Sequence, residues 1–331
     1  MPYSRALLAT ALALLAASSA AAADLTPVRL ASAAQVATYA APYIALTKGY
    51  YREQGLDVSI VSFQGGGKAM EAMMGGSADA VIGSYSNTIT LAARGQRVQT
   101  FINYLVCPGY VLAVGKGHPA KTLADLRGRT IGITSPGSNT QQTLNYLMKT
   151  AGFGPDEYSA VGIGNTAGAV AAVRYGKVDA LILPEPIISL LENAGDVTDL
   201  LDMRSAKGSE AAMGGPYPEG SLLARTDYID SHPKIIQALT NAVVKAMRFV
   251  ATASPADVTA ALPKEIVGDN PALIAESIAK IKTCYSTDGL LTPAGVQKVM
   301  DVLTTNVSEL KDAKVDLSQT YTNSFVQQAT P

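Results

Sequence analysis

The sequence predicts an α/β protein of two similar lobes with mostly parallel sheets, and three observations carry that expectation. The chain has 331 residues, roughly twice the ~150 of an average domain. Short apolar runs alternate with glycine loops and helical stretches, an order that gives parallel strands covered on both faces. That order also occurs twice, roughly 100 residues apart, which is far longer than the ~20 to 50 residues of a solenoid repeat.

Taken from the start, Arg5 is the only charge before Asp24, and the run from Ala6 to Ala17 is almost wholly Ala and Leu. Ser18 and Ser19 lead into Ala21-Ala22-Ala23. A basic start, an apolar run and an A-x-A site predict a signal peptide cleaved after Ala23. The run falls short of the ~18 to 20 strongly apolar residues of a membrane span, so an exported periplasmic protein is expected.

The first unit then reads as a strand over Val28 to Ser32, a helix over Tyr43 to Tyr51 and a strand over Val58 to Phe63. The loop Gly65-Gly66-Gly67 follows, then a helix over Lys68 to Met74, a Gly75-Gly76 stop and a strand over Ala78 to Ile82. The second unit repeats this with a strand over Ser159 to Val161, the loop Gly162-Ile163-Gly164-Asn165, a helix over Ala167 to Tyr175 and a strand over Val178 to Leu183. Asp125 to Ile133 opens the second lobe's sheet. From Ser231 onward the pattern is helical, with Ser231 the expected N-cap and Pro233 in the first turn. Pro255, Pro263, Pro271 and Pro293 divide the remainder into short helices.

Composition narrows the chemistry. A net charge of -1 leaves no basic excess for nucleic acid. With 48% of residues apolar and 16% charged the chain is globular rather than disordered. The two histidines, His118 and His232, each precede proline in turn-like surroundings. Gly162-Ile163-Gly164 with Gly168 departs from the dinucleotide fingerprint, and Asp179 precedes its strand instead of ending one. Gly65-Gly66-Gly67-Lys68 is followed by Ala69, where a phosphate loop needs Ser or Thr. With no G-x-S-x-G, H-E-x-x-H or C-x-x-C, no catalytic residue, metal or cofactor is expected. Cys107 and Cys284 are left open as a pair.

What recurs is a set of loops that each follow a strand and open a helix. In open parallel sheets such loops line the ligand crevice, and helix starts offer unpaired N–H groups. Their side chains are hydroxylic or amide: Ser84, Tyr85, Ser86, Asn87 and Thr88 in one lobe, Ser135, Ser138, Asn139 and Thr140 in the other. Each could instead be an N-cap. Lys68 is the one full positive charge among them, and Tyr39, Tyr85 and Tyr217 are possible walls.

Gly49-Tyr50-Tyr51-Arg52-Glu53-Gln54-Gly55-Leu56-Asp57-Val58 resembles a segment of the periplasmic substrate-binding proteins of nitrate/sulfonate/taurine-type ABC importers. Gly76-Ser77-Ala78-Asp79, Asp125-Leu126-Arg127-Gly128, Gly176-Lys177-Val178-Asp179-Ala180, Glu185-Pro186 and His232-Pro233 resemble further landmarks of that family in order. The resemblance implies a two-lobed type II periplasmic binding protein that closes on a small solute and delivers it to ABC permease subunits in the inner membrane. It implies a signal peptide over 1–23, a discontinuous lobe 1 over 24–107 and 226–331, and lobe 2 over 108–225. Carried over by position, the ligand contacts are Gln35, Tyr39, Gly65, Gly66, Gly67, Ser84, Tyr85, Ser86, Asn87, Ser135, Gly137, Ser138, Asn139, Thr140, Asn165 and Glu185. An organic anion or a planar aromatic solute is expected over bare nitrate, and the protein is expected to act as a monomer. Thiamine-pyrimidine synthases are also relatives, so the alternative is an enzyme on the same scaffold, with Cys107 as nucleophile or Glu185 as acid/base.

Overall fold

The computed structural model describes residues 25–63, 65–306, 310 and 313–331. The expected signal peptide and its cleavage point after Ala23 lie outside the described residues. In chain order the strands are β1 (Thr26–Ser32), β2 (Leu56–Ser62), β3 (Ala80–Ser84), β4 (Val98–Asn103), β5 (Tyr110–Gly115), β6 (Thr130–Ile133), β7 (Ser159–Gly162), β8 (Ala180–Pro184), β9 (Val197–Asp202) and β10 (Gly220–Arg225).

They form two five-stranded sheets, ordered β2-β1-β3-β10-β4 and β7-β6-β8-β5-β9. In the first, β1 runs parallel to β2 and β3, while β10 is antiparallel to β3 and β4. The second repeats this, with β6 parallel to β7 and β8 and β5 antiparallel to β8 and β9. Each sheet therefore has one reversed strand in the same place, and the others share a direction. The reversed strand is in both cases the one that enters its lobe directly from the other lobe.

That topology moves the return crossing. The expected boundary at 225 assigns Gly220–Arg225 to lobe 2, whereas this strand pairs inside the first sheet. The two crossing segments run side by side, with Tyr104 N donating to Gly220 O at 2.8 Å and Glu219 N to Leu105 O at 2.9 Å.

Local chemistry explains where elements stop. The single helix expected over Tyr43 to Tyr51 is two, Ala40–Thr47 and Tyr50–Glu53. Gly49 separates them at φ 74°, a left-handed conformation that costs glycine little. The long helix Pro233–Thr252 has His232 at its N-cap, not Ser231, which ends the preceding helix Thr226–Ser231. Pro233 fits there because the first turn needs no N–H from it.

The same helix buries Ile236, Leu239, Val243, Met247 and Val250, a one-face spacing of three and four residues. It lies on Ala40–Thr47 and Tyr50–Glu53 in the first core. Each such side chain contributes about 1.5–3 kcal/mol by leaving water. The tail does not belong to lobe 1 throughout. Helix Pro293–Asn306 packs on Asn139–Thr150 and Tyr85–Ala93, where Val296, Val299 and Leu303 share a core with Leu144, Leu147 and Ile89.

Cys107, in the outgoing crossing, is disulfide-bonded to Cys284 in the tail, with Cα atoms 5.3 Å apart. Among the described residues no helix is long and apolar enough to cross a membrane.

Candidate functional site

Strand direction gathers the loops. In lobe 1, Ala33 N donates to Ile82 O at 2.8 Å and Gly65 N to Ala33 O at 3.0 Å, so the segments following β1, β2 and β3 lie together. Gly66 is packed so closely on Asn87 that a Cβ there would stand 2.6 Å from Asn87 Nδ2. In lobe 2, Ile163 N donates to Ile133 O at 2.8 Å and Gly164 N to Thr134 O at 3.0 Å, which joins the segments after β6 and β7.

The two sets meet at one point. Ser86 Oγ donates to Asn139 Oδ1 at 3.5 Å, and Asn139 Nδ2 donates to Glu219 Oε1 at 2.8 Å. Ser84 Oγ is 2.9 Å from Ser86 Oγ. Ser84 stands at the N-cap of helix Tyr85–Ala93, yet its hydroxyl caps nothing. Ser138 does the reverse, accepting from Gln141 N at 3.4 Å as an N-cap and lying 2.8 Å from Thr140 Oγ1. Thr140 in turn accepts from Thr134 N at 3.0 Å. The capping explanation therefore holds for Ser138 and fails for Ser84, while Thr140 ties its helix to the end of β6.

Glu219 is the member that sequence reasoning missed. It is buried, and its backbone is fixed to lobe 1 through Leu105 O and through Tyr85 N, which donates to Glu219 O at 2.9 Å. Tyr110 Oη donates to its Oε1 at 3.4 Å, while Oε2 has no protein partner. Burial pushes its carboxyl up to about 7, against the pull of the hydrogen bonds from Asn139 and Tyr110. Around it stand Tyr39, Tyr104, Tyr110 and Tyr217, each raised first by burial and further by the Glu219 charge. Tyr39 meets Tyr104 edge to face at 5.8 Å. A lone Glu between Pro218 and Gly220, with Pro216 before Tyr217, carries no motif that marks it in the sequence.

Other expected contacts fall elsewhere. Tyr85 is wholly buried, with its hydroxyl 2.5 Å from Thr320 Oγ1, because the helix it opens turns that ring toward the tail. Glu185 is not at this meeting point either. Its Oε1 accepts from Ser189 Oγ at 2.9 Å and Arg204 Nη1 at 2.8 Å, and its Oε2 from Ser277 Oγ at 2.9 Å. Arg204 is itself buried among Glu185, Glu192, Asp199 and Asp202. Lys68 is exposed and pairs with Glu71 at 3.4 Å. Gln35, Gly65, Gly67, Ser135, Gly137 and Asn165 are exposed, and Gly137 N donates to Gln141 Oε1 at 2.6 Å. An apolar groove of about 400 Å³ between helices Pro255–Ala260 and Pro271–Ile281 contains none of these residues. Among the described residues no cluster of His, Cys, Asp and Glu could hold a metal ion.

Comparison with known proteins places this geometry. The "NMT1/THI5 like" family profile matches residues 37–258. The curated protein "Putative binding protein YtlA" of Bacillus subtilis (strain 168) is 26% identical over 288 residues, covering 84% of this chain and 83% of that one. The Saccharomyces cerevisiae 4-amino-5-hydroxymethyl-2-methylpyrimidine phosphate synthase THI13 is 31% identical over 140 residues, 42% of this chain and 40% of the synthase. A solved structure from Bordetella bronchiseptica RB50 is 34% identical with a TM-score of 0.83, covering 92% of this chain and 97% of that one. The ligand-binding component of an ABC-type import system from Staphylococcus aureus shares the fold at 16% identity and a TM-score of 0.72, over 92% of this chain and 99% of its own. Two like-ordered sheets joined by paired crossings are thus the periplasmic binding protein fold, and the chain belongs to the NMT1/THI5-like family.

Proposed function

We propose that this protein is the exported solute-binding component of an ABC importer, which holds a small molecule between its lobes and presents it to a membrane permease. The observation that carries the reading is the convergence of Ser86 and Glu219 from one lobe with Asn139 from the other on a single part-buried polar point. A solute bound there touches both lobes, so it favours the closed arrangement by its extra contacts in that state. The permease then distinguishes loaded from empty protein by shape. The importer component from Staphylococcus aureus and the Bacillus relative's name support the same reading.

The alternative of an enzyme draws on the partial match to the yeast synthase. The groups it would use are committed elsewhere. Cys107 is in a disulfide and Glu185 is saturated by Arg204, Ser189 and Ser277.

The test is native mass spectrometry of protein purified from the periplasm, followed by incubation and a second measurement. A small compound bound one to one and recovered with its mass unchanged is expected. A compound that changes mass on incubation overturns the reading in favour of the enzyme.

A further inference from the structure

A second junction between the lobes uses none of the residues of the cleft contact. Helix Pro271–Ile281 belongs to lobe 1, where Ile274, Ile278 and Ile281 join the core beside Ala37–Tyr39 and helix Pro255–Ala260. Its polar face is turned to lobe 2. Ser277 Oγ donates to Glu185 Oε2 at 2.9 Å, and Lys280 Nζ donates to Ser189 Oγ at 2.9 Å and to Glu192 Oε2 at 2.6 Å. In the other direction, Asn193 Nδ2 donates to Glu276 Oε2 at 2.7 Å. The four partners in lobe 2 lie on or just before helix Ile187–Asn193.

This junction begins at the hinge. Val106 N donates to Cys284 O at 2.7 Å and Ser286 N to Tyr104 O at 3.0 Å, so the chain just after the helix pairs with the outgoing crossing. When lobes rotate about such a crossing, groups beside it hardly separate and groups further out separate most. Thr283 Oγ1, next to the crossing, accepts from Ala206 N at 3.3 Å. Lys280, Ser277 and Glu276 follow at increasing distance along the helix, so theirs are the bonds that opening breaks. Lys280 is 29% and Glu192 17% exposed, which lets salt screen their attraction.

We propose that helix Pro271–Ile281 is an ionic latch on lobe opening, in which Lys280 and Glu276 hold lobe 2 in the closed arrangement and ionic strength sets how firmly. The latch goes beyond solute capture and requires only that the lobes move, as the binding-protein reading does. Bonds made in one arrangement and lost in the other shift the balance between them by their own free energy. Removing Lys280 leaves Glu192 paired with Arg204 inside lobe 2, so no buried charge is orphaned. Lys280 also pairs with Glu276 of its own helix at 2.8 Å, and the test is therefore read as lobe separation and not as stability.

Val61 and Val161 are exposed, and each is the last residue but one of an edge strand, β2 and β7 respectively. Spin labels on Val61→Cys and Val161→Cys, with Cys107–Cys284 left oxidised, report the lobe separation by pulsed electron resonance. The sample is protein purified from the periplasm and shown by native mass spectrometry to be free of bound compounds, at about 20 mM and about 500 mM sodium chloride. The open fraction of the otherwise native protein should rise with salt. Lys280→Met should raise it at low salt by about threefold, the scale of a part-exposed ion pair, and respond less to salt. Lys282→Met, whose ammonium bonds Ala253 O inside lobe 1 at 2.9 Å, should match the native protein. Asn193→Ala, which removes only the exposed bond to Glu276, should move the distribution the same way by a smaller amount. An open fraction that salt does not change, that Lys280→Met leaves as it was, or that Lys282→Met raises equally would overturn the latch. Should Lys280→Met not fold, an unmoved distribution in Asn193→Ala overturns it. A single narrow distance in every sample would deny lobe motion itself, and the closure in the binding-protein reading with it, whereas equal opening by salt in native and Lys280→Met protein would keep the motion and remove the latch.

Discussion

Asn139 Nδ2 donates to Glu219 Oε1 at 2.8 Å, and this bond joins a helix start of lobe 2 to a carboxylate whose backbone is anchored in lobe 1. The closest donor to the buried acid therefore comes from across the cleft. Opening the lobes exposes Glu219 to water and removes Asn139, whereas closing them strips the water and restores the amide. With Tyr110 Oη, which donates to the same oxygen at 3.4 Å from the second sheet, this contact would couple lobe closure to the charge state of Glu219.

The first prediction concerns pH. Glu219 is raised from an ordinary value of 4.5 to about 7, chiefly by burial. The folded protein thus binds a proton that the unfolded chain releases between those values. Stability from this group is fully present below about 4.5 and is lost as pH rises through about 7. The difference is of the order of 3 kcal/mol across that window. Asp199, raised to about 6 by burial and by Glu192, has the same sign, so the variant isolates Glu219. Chemical denaturation between pH 5 and 8 should show a slope in the native protein that is shallower in Glu219→Gln. Identical slopes would mean that Glu219 does not titrate in this range.

A second prediction separates Glu185 from the site. Its oxygens are taken by Arg204, Ser189 and Ser277, and its side chain has no exposure. Arg204→Met leaves that carboxylate buried without its cation, a change that typically costs about 3–5 kcal/mol. The expected result is a large fall in melting temperature, with solute affinity unchanged under conditions where the variant stays folded. Reduced affinity at undiminished stability would return Glu185 to the ligand set.

The fold was legible in the sequence where backbone chemistry repeats. Asp79 in Gly76-Ser77-Ala78-Asp79-Ala80 and Asp179 in Gly176-Lys177-Val178-Asp179-Ala180 occupy the same place, and each does the same work. Asp79 Oδ2 accepts from Arg29 N at 2.7 Å at β1, and Asp179 Oδ2 accepts from Thr130 N at 2.8 Å at β6. A carboxylate bracing the neighbouring strand is a local need, so it leaves a local pattern. The site was legible only in part. Ser84, Ser86 and Asn139 stand out in the sequence as hydroxyls and an amide at helix starts, and the structure brings these three together. Glu219, Tyr104 and Tyr110 come from the crossing segments, whose neighbours are set by the pairing of strands more than 100 residues apart, and no periodicity encodes that. Tyr85 misled for the converse reason. It adjoins the right loop, but a residue's position in a loop does not fix the direction of its ring.

The third prediction concerns the disulfide. Cys107 and Cys284 close a loop with a sequence separation of 177, and a loop that long corresponds to about 5 kcal/mol in the chain-entropy account, with measured losses more often about 2–4 kcal/mol. The bond fixes the tail behind helix Pro271–Ile281 to the outgoing crossing. Cys107→Ser with Cys284→Ser should lower unfolding stability by a matching amount and leave solute affinity unaffected. A fall of under about 1 kcal/mol would place the stabilising effect elsewhere in the tail's packing.

The last prediction returns to the contact between the lobes. Opening would break Asn139–Glu219, Ser86–Asn139 and Tyr110–Glu219, so these bonds set part of the closed state's advantage before any solute arrives. Asn139→Ala removes the first two and leaves a buried carboxylate short of a donor, at a cost of about 1–3 kcal/mol. Because the bond favours ionised Glu219, the cost is greatest above about pH 7 and shrinks as the acid becomes protonated. Small-angle scattering of the solute-free variant at pH 8 should give a larger radius of gyration than the native protein, with the two converging near pH 5. A saturating solute with contacts in both lobes should restore the compact form, at reduced affinity because part of its binding energy now drives closure. Equal radii at pH 8 would show that packing of the crossing segments and of helix Pro293–Asn306, rather than the cleft contact, holds the lobes together.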